Sequence, residues 1–149
     1  MAKFFKSIIS WLAFLGLIIS AELTYIYMNA NFGLPSNKSF CNINEVIDCD
    51  AVARTAYSHV LGVPLAVWWI LFYAVILLFN YLRFSKPDDH EQHQNFRSYI
   101  YTLSFGAVMV SVVLSLITGL GIQKVCVLCV ANYIINILLF FFIRGEASF

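Results

Sequence analysis

Charge is what this sequence has least of. Charged residues fill 11% of its 149 positions, against about a quarter in a soluble globular domain, which excludes an ordinary water-soluble fold. The charge present nearly cancels, nine Lys and Arg against eight Asp and Glu. There is then no basic surface for nucleic acid and no acidic one for cationic ligands. Repeats and low-complexity segments are missing. Cysteine is sparse, four in all, and none of the four sits in the middle of an apolar run. What abounds is apolar sequence, 61% of the chain with a mean hydropathy of +0.81. A membrane-crossing helix takes about 20 residues, so four use roughly 80 and leave only short connections. No room remains for a separate catalytic domain, and any function sits in or beside the bilayer.

Four such runs are present, and they predict one all-α membrane domain over 1–149, a four-transmembrane-helix bundle. Span one is 7–28, interrupted by the single charge Glu22. Lys3 and Lys6 before it resemble a signal peptide, but Ile18 and Ser20 make a poor cleavage site and the apolar character continues, so it is read as retained. A polar outer loop follows at 29–59, with Gly33, Pro35, Asn37 and two cysteines. Span two is 60–82, with Gly62 and Pro64 in its first turns, where proline is tolerated. A charged inner loop, 83–97, carries Lys86, Pro87, Asp88, Asp89, His90, Glu91 and His93. Span three is 98–120 and span four 125–143.

Orientation comes from Lys and Arg. Lys3, Lys6, Arg83, Lys86, Arg97 and Arg144 fall on one side, Lys38, Arg54 and Lys124 on the other, which puts both termini in the cytoplasm. All four cysteines then meet the extracytoplasmic, oxidising face. In the outer loop Ile43, Val46 and Ile47 recur at helical spacing. Asn42 and Glu45 have the spacing of a capping box. These predict a short amphipathic helix that lids a pocket.

The sharpest motif is C-V-L-C at Cys126 to Cys129, opening span four. Two thiols one turn apart close a disulfide, and the free amides of a helix start stabilise a thiolate. Cys41 and Cys49 form a second pair in the outer loop. Taken alone, that pair is equally a static staple or a shuttle. Two dithiols in series on one face favour a relay of electrons from water to lipid. A zinc site would need all four thiols reduced at an oxidising face, so no metal is expected.

In the order C-N-I-N-E-V-I-D-C (41–49), S-H-V-L-G-V-P (58–64) and C-V-L-C-V-A-N-Y-I-I-N (126–136), the chain resembles the vitamin K epoxide reductase homologues. These are membrane thiol oxidoreductases. The disulfide bond protein B family differs by placing its C-x-x-C in the first outer loop. The resemblance, to the bacterial stand-alone type, implies a bundle around a quinone of the ubiquinone or menaquinone class, in a bacterial plasma membrane. It implies that Cys41 takes the attack of a thioredoxin-like partner, that Cys49 exchanges with Cys126, and that Cys129 faces the quinone. Tyr133 and Ser58 match the family's polar groups near the quinone. No thioredoxin-like domain follows span four, so the partner is expected as a separate extracytoplasmic protein. A quinone epoxide is the alternative substrate, and a non-catalytic scaffold with two structural disulfides the alternative from another class.

His59, beside Ser58, and Asn136, three residues past Tyr133, are the remaining candidates for the quinone pocket. Glu22 reads equally as part of a proton path or as a hydrogen-bonded carboxyl near the interface. His90 and His93 have metal-like spacing but read as a solvated loop. Trp68 and Trp69 read as interface anchors rather than ring-stacking partners. Ser104, Ser111, Ser115, Thr118 and Gly119 read as a packing stripe.

Overall fold

The computed structural model describes residues 2–33, 40–85 and 89–147. Pro35, Asn37, Lys38, Lys86, Pro87 and Asp88, used above for the loops and the charge bias, lie outside the described residues. Four helices are long and apolar enough to cross a membrane. They are α1 (Ala2–Phe32), α3 (Leu65–Ser85), α4 (His90–Leu116) and α5 (Val127–Ala147), with a short α2 at Cys49–Ala53. The protein is an all-α membrane bundle.

The helices and the apolar runs have different ends, for identifiable reasons. An apolar run marks hydrocarbon thickness, whereas a helix already nucleated continues at little cost into polar surroundings. Thus α1 begins before Ser7, and α4 takes in the His90 to Arg97 part of the charged loop. It starts where Asp89 accepts a hydrogen bond from the Gln92 amide, 3.2 Å. At the other end of α3, residues 60–64 are not helical. β1 (His59–Val60) and β2 (Val63–Pro64) pair antiparallel. Leu61 and Gly62 turn between them at φ 54° and 78°, the left-handed pair that a two-residue hairpin requires. The last turns of the third membrane helix, Ile117–Ile122, widen to a π-helix.

The amphipathic helix expected around Asn42 to Ile47 is absent. Asn44 Oδ1 instead accepts from the Val46 and Ile47 amides, 2.9 and 2.8 Å, folding the segment into a turn. Asn42 turns away from Glu45 and donates through Nδ2 to Asp50 Oδ2, 2.7 Å. Local side-chain bonding by asparagine competes with helix and wins here. The helix of this loop is α2, one step later, capped by Asp48 through a bond from the Ala51 amide, 3.0 Å.

In the bundle, α1 packs on α3 and α5, and α4 on α5 and α3. The core runs along Ile9 and Ala13, Tyr73 and Ile76, Ile100 and Ala107, Ile135, Leu139 and Ile143. Lipid is as apolar as leucine, so close fit and buried polar bonds hold such helices together. Gly16 provides a close fit, since a Cβ there would clash with the hydroxyl end of the Tyr73 ring. Ser104 and Ser111 are buried in the helix contact as expected of a packing stripe, while Ser115 and Gly119 are exposed. Where the termini meet, buried Arg83 pairs with Glu146 and donates Nε to His93 Nε2 at 3.0 Å. His93 belongs to this ionic cluster rather than to a solvated loop.

Candidate functional site

The four cysteines converge at the other end of the bundle, through main-chain bonds. Gln123, at φ 56°, turns the chain out of the π-helical segment into an extended stretch. There Val125 forms a parallel bridge with Ile47. Val125 donates its N–H to Val46 O at 2.8 Å, and Asp48 donates to Val125 O at 3.1 Å. Lys124 Nζ adds a bond to Glu45 O. The outer loop is thus seated on the residues just ahead of Cys126.

Within the loop Cys41 and Cys49 are joined in a disulfide, with Cα atoms 5.8 Å apart. Cys126 and Cys129 are free thiols. The sulfurs of Cys41, Cys49 and Cys126 all lie within 4.8 Å of one another, and all three residues are buried. With the first two in a disulfide, only Cys126 of this trio offers a thiolate. Cys126 caps α5, its Sγ accepting from the Cys129 amide at 3.4 Å while its carbonyl accepts from the Val130 amide at 3.0 Å. The hydrogen bond from the Cys129 thiol, joined by amides of the opening turn, holds the Cys126 thiol below the usual thiol range despite burial. A lowered value makes the thiolate available for exchange.

Beneath the sulfurs lies a cavity between α1, α3, the end of α4 and α5, roofed by α2. Its wall is largely apolar, with Leu23 and Ile26 from α1, Val52 from α2, Leu65 and Trp69 from α3, and Leu114 ahead of the π-helical turn. On α5, Cys129, Asn132 and Tyr133 line it together, because positions three and four apart share a helix face. Cys49 and Cys126 reach the same space.

Of the expected pocket residues, Tyr133 and Ser58 line this cavity, and His59 and Asn136 do not. Ser58 Oγ lies 2.7 Å from both Ala53 O and Thr55 O, so its hydroxyl proton is engaged by the loop backbone. His59 is exposed on the hairpin, against the Tyr27 ring. Asn136 is buried one turn below and donates Nδ2 to Ser111 Oγ, 2.9 Å. Glu22 is exposed on α1, away from the cavity. Trp68 is partly exposed, consistent with an anchor, but Trp69 is only 7% exposed and forms cavity wall.

Sequence reading missed Asn132 and Tyr73. Tyr73 Oη lies 2.5 Å from Asn132 Oδ1 and 2.7 Å from Asn136 Oδ1. The spacing from Cys129 was a usable signal for Asn132, since it places that residue on the face that holds Tyr133. Nothing local marked Tyr73, which reads as one more aromatic in an apolar run.

A search of curated proteins finds no match to this chain. A family model does match, over residues 7–143, a stretch that contains all four cysteines; it is described as the Vitamin K epoxide reductase family.

Proposed function

The chain belongs to the vitamin K epoxide reductase family, a family of membrane oxidoreductases, and from that premise we propose that it is a thiol:quinone oxidoreductase. In this reading it carries electrons from a separate thioredoxin-like protein through Cys41/Cys49 and Cys126/Cys129 to a quinone of the ubiquinone or menaquinone class. The observation that carries the reading is the position of Cys126. Its sulfur is within 4.8 Å of both sulfurs of the loop disulfide, while its C-x-x-C partner Cys129 lines an apolar cavity.

The order of exchanges in this reading is the one that the family resemblance implies. A reduced partner attacks Cys41 Sγ, the Cys41–Cys49 bond breaks, and Cys49 leaves as a thiolate. A second partner thiolate resolves the mixed disulfide, leaving both loop cysteines reduced. Cys49 then attacks Cys126 of an oxidised C-x-x-C, releasing Cys129, and Cys41 closes on Cys49 to release Cys126. A loop disulfide beside a free C-x-x-C dithiol is the arrangement that follows this transfer. In the last step the Cys126–Cys129 bond re-forms, and the dithiol's two electrons and two protons convert the quinone to a hydroquinone. Each exchange needs an attacking thiolate and a thiolate that leaves, and the Cys126 cap stabilises the one released when Cys41 closes on Cys49.

The cavity fits a quinone ring by chemistry. Its walls are apolar, and Cys129 and two hydrogen-bonding side chains, Asn132 and Tyr133, meet on one face. The Lys and Arg bias supports a cytoplasmic position for both termini and an extracytoplasmic one for the cysteines, and the resemblance to the family's bacterial branch supports a bacterial plasma membrane.

The test is reduction of ubiquinone and menaquinone analogues by the purified protein with a reduced thioredoxin-like donor, beside Cys129→Ala. The expected result is turnover in the wild type alone. Equal rates in the two proteins would overturn the role of Cys129. No turnover with any quinone, with disulfides that resist the donor, would favour a static pair of staples. A donor that lacks its second cysteine is expected to accumulate as a mixed disulfide with Cys41, because its one thiolate breaks the Cys41–Cys49 bond, releases Cys49, and leaves no donor thiol to resolve the product.

A further inference from the structure

The loop disulfide is not the only tie across residues 41–50. Each of its cysteines is followed by a polar residue, Asn42 after Cys41 and Asp50 after Cys49, and these two residues are bonded to each other. Asn42 Nδ2 donates to Asp50 Oδ2 at 2.7 Å, and the Asp50 amide donates to Asn42 Oδ1 at a longer 3.4 Å. Both bonds have a fixed sense, because a carboxylate only accepts and a main-chain N–H only donates. One orientation of the asparagine amide satisfies both. The N–H it accepts from lies in the first turn of α2, where the helix offers no acceptor of its own.

The disulfide and the side-chain pair each span eight positions, so they close the same loop in parallel. A third closure lies inside them, where Ile43 donates its N–H to Ile47 O at 3.0 Å. Breaking the sulfur bond leaves the other two closures in place. Asp50 is 9% exposed, and an amide bonded to a carboxylate away from water makes one of the stronger hydrogen bonds. Loop closure costs conformational entropy. A neighbouring pair that has already met that cost holds the two thiols at high effective concentration.

In the relay, Cys41 passes through a stage as a free thiol and must return to Cys49 to release Cys126. No covalent bond ties it to Cys49 at that stage. We propose that Asn42 and Asp50 are positioning residues that keep Cys41 beside Cys49 while the bond between them is open. The consequence for electron transfer rests on the relay reading, but the tie acts on the loop disulfide whatever the acceptor. Neither residue moves a proton or an electron. By raising the effective concentration of the two thiols, the pair also makes their disulfide harder to reduce.

The first measurement is the equilibrium of the loop with glutathione, in the full chain carrying Cys126→Ala and Cys129→Ala so that one dithiol remains. Two glutathione thiols reduce the Cys41–Cys49 bond to two thiols and leave as glutathione disulfide, and the reduced fraction is read by acid quench and peptide mapping. Asn42→Ala removes both bonds, and Asn42→Asp sets carboxylate against carboxylate. Asn42→Asp combined with Asp50→Asn exchanges the two groups and again faces a donor with an acceptor. Either single change is expected to lower the effective concentration of the dithiol about tenfold, the effect of one net hydrogen bond to a charged group. The exchanged pair is expected to recover to within about threefold of the starting protein, since coupled residues restore each other. Single variants that keep the original equilibrium, or an exchanged pair that recovers nothing, overturn the role of Asn42 and Asp50 and leave the relay standing. The second measurement retains Cys126. In a Cys129→Ala background, Asn42→Ala is expected to raise the yield of a Cys49–Cys126 disulfide several-fold, because Cys41 competes less well for Cys49. A background that forms none of that disulfide counts against the relay, and the glutathione equilibrium still decides the role of the pair.

Discussion

Val125 and Val46 are joined by a 2.8 Å bond from amide to carbonyl, and this bond sets the loop disulfide against the C-x-x-C. Removing the Val125 N–H should therefore slow transfer between the two pairs without touching a sulfur. In a Cys129→Ala background, the Cys126 thiolate attacks Cys49 and cannot be resolved. A Cys49–Cys126 disulfide with a free Cys41 is then expected to accumulate. Adding Val125→Pro should lower its yield several-fold, as read by peptide mapping under acid quench.

The acidity of Cys126 gives a second prediction. Its thiol is held low chiefly by the hydrogen bond from the Cys129 thiol, and the thiolate is the form that reacts. Alkylation by iodoacetamide should rise with pH and reach half its maximum below the usual thiol range. Cys129→Ala removes the donor and should move the midpoint to higher pH. Cys129→Ser keeps a donor and should move it less. A midpoint unmoved in Cys129→Ala would assign the acidity to the helix start alone.

The ionic cluster where the termini meet should govern stability rather than chemistry. The Arg83 side chain is 2% exposed and Glu146 11%, so Glu146→Ala leaves a buried guanidinium with His93 and the Phe84 ring beside it but no carboxylate among the described residues. Removing one member of a buried pair costs about 3–5 kcal/mol. Thermal melting in detergent should show a marked loss of stability, while quinone reduction per folded molecule stays near wild type.

Gly16 leads to a prediction that links packing to the site. Gly16→Ala places a methyl group against the hydroxyl end of the Tyr73 ring, too close for either to stay, and overpacking of this kind costs about 1–3 kcal/mol. The displaced ring should also release the Asn132 carboxamide. Combining Gly16→Ala with Tyr73→Leu should recover part of the melting temperature.

The bundle was legible in the sequence because lipid imposes long apolar runs, and the four cysteines because their positions are discrete and their motif short. The ends of the helices were less so: His90 to Arg97 is charged yet helical, since a helix extends past the hydrocarbon. The 42–47 helix failed for a specific reason. Asn42 and Glu45 have capping-box spacing, but Asn42 is engaged by Asp50 across the loop, a long-range preference that spacing does not encode. Trp69 and Trp68 are adjacent and chemically alike, yet one lines the cavity and one faces outward. The face of α3 that turns inward is decided by the fit of Tyr73 onto Gly16, a contact between residues 57 positions apart in the sequence.

The joint between the outer loop and the C-x-x-C is made by main-chain atoms of residues 46, 47, 48 and 125. Peptide groups are the same whatever side chains they carry, so the identities of Val46, Ile47 and Val125 are available for other purposes. Val46 is exposed, as is Ile43 beside it. The side chains of this surface are thus free to diversify while the spacing of the sulfurs stays constant. In the proposed relay, choice of donor would then be uncoupled from transfer between the two cysteine pairs.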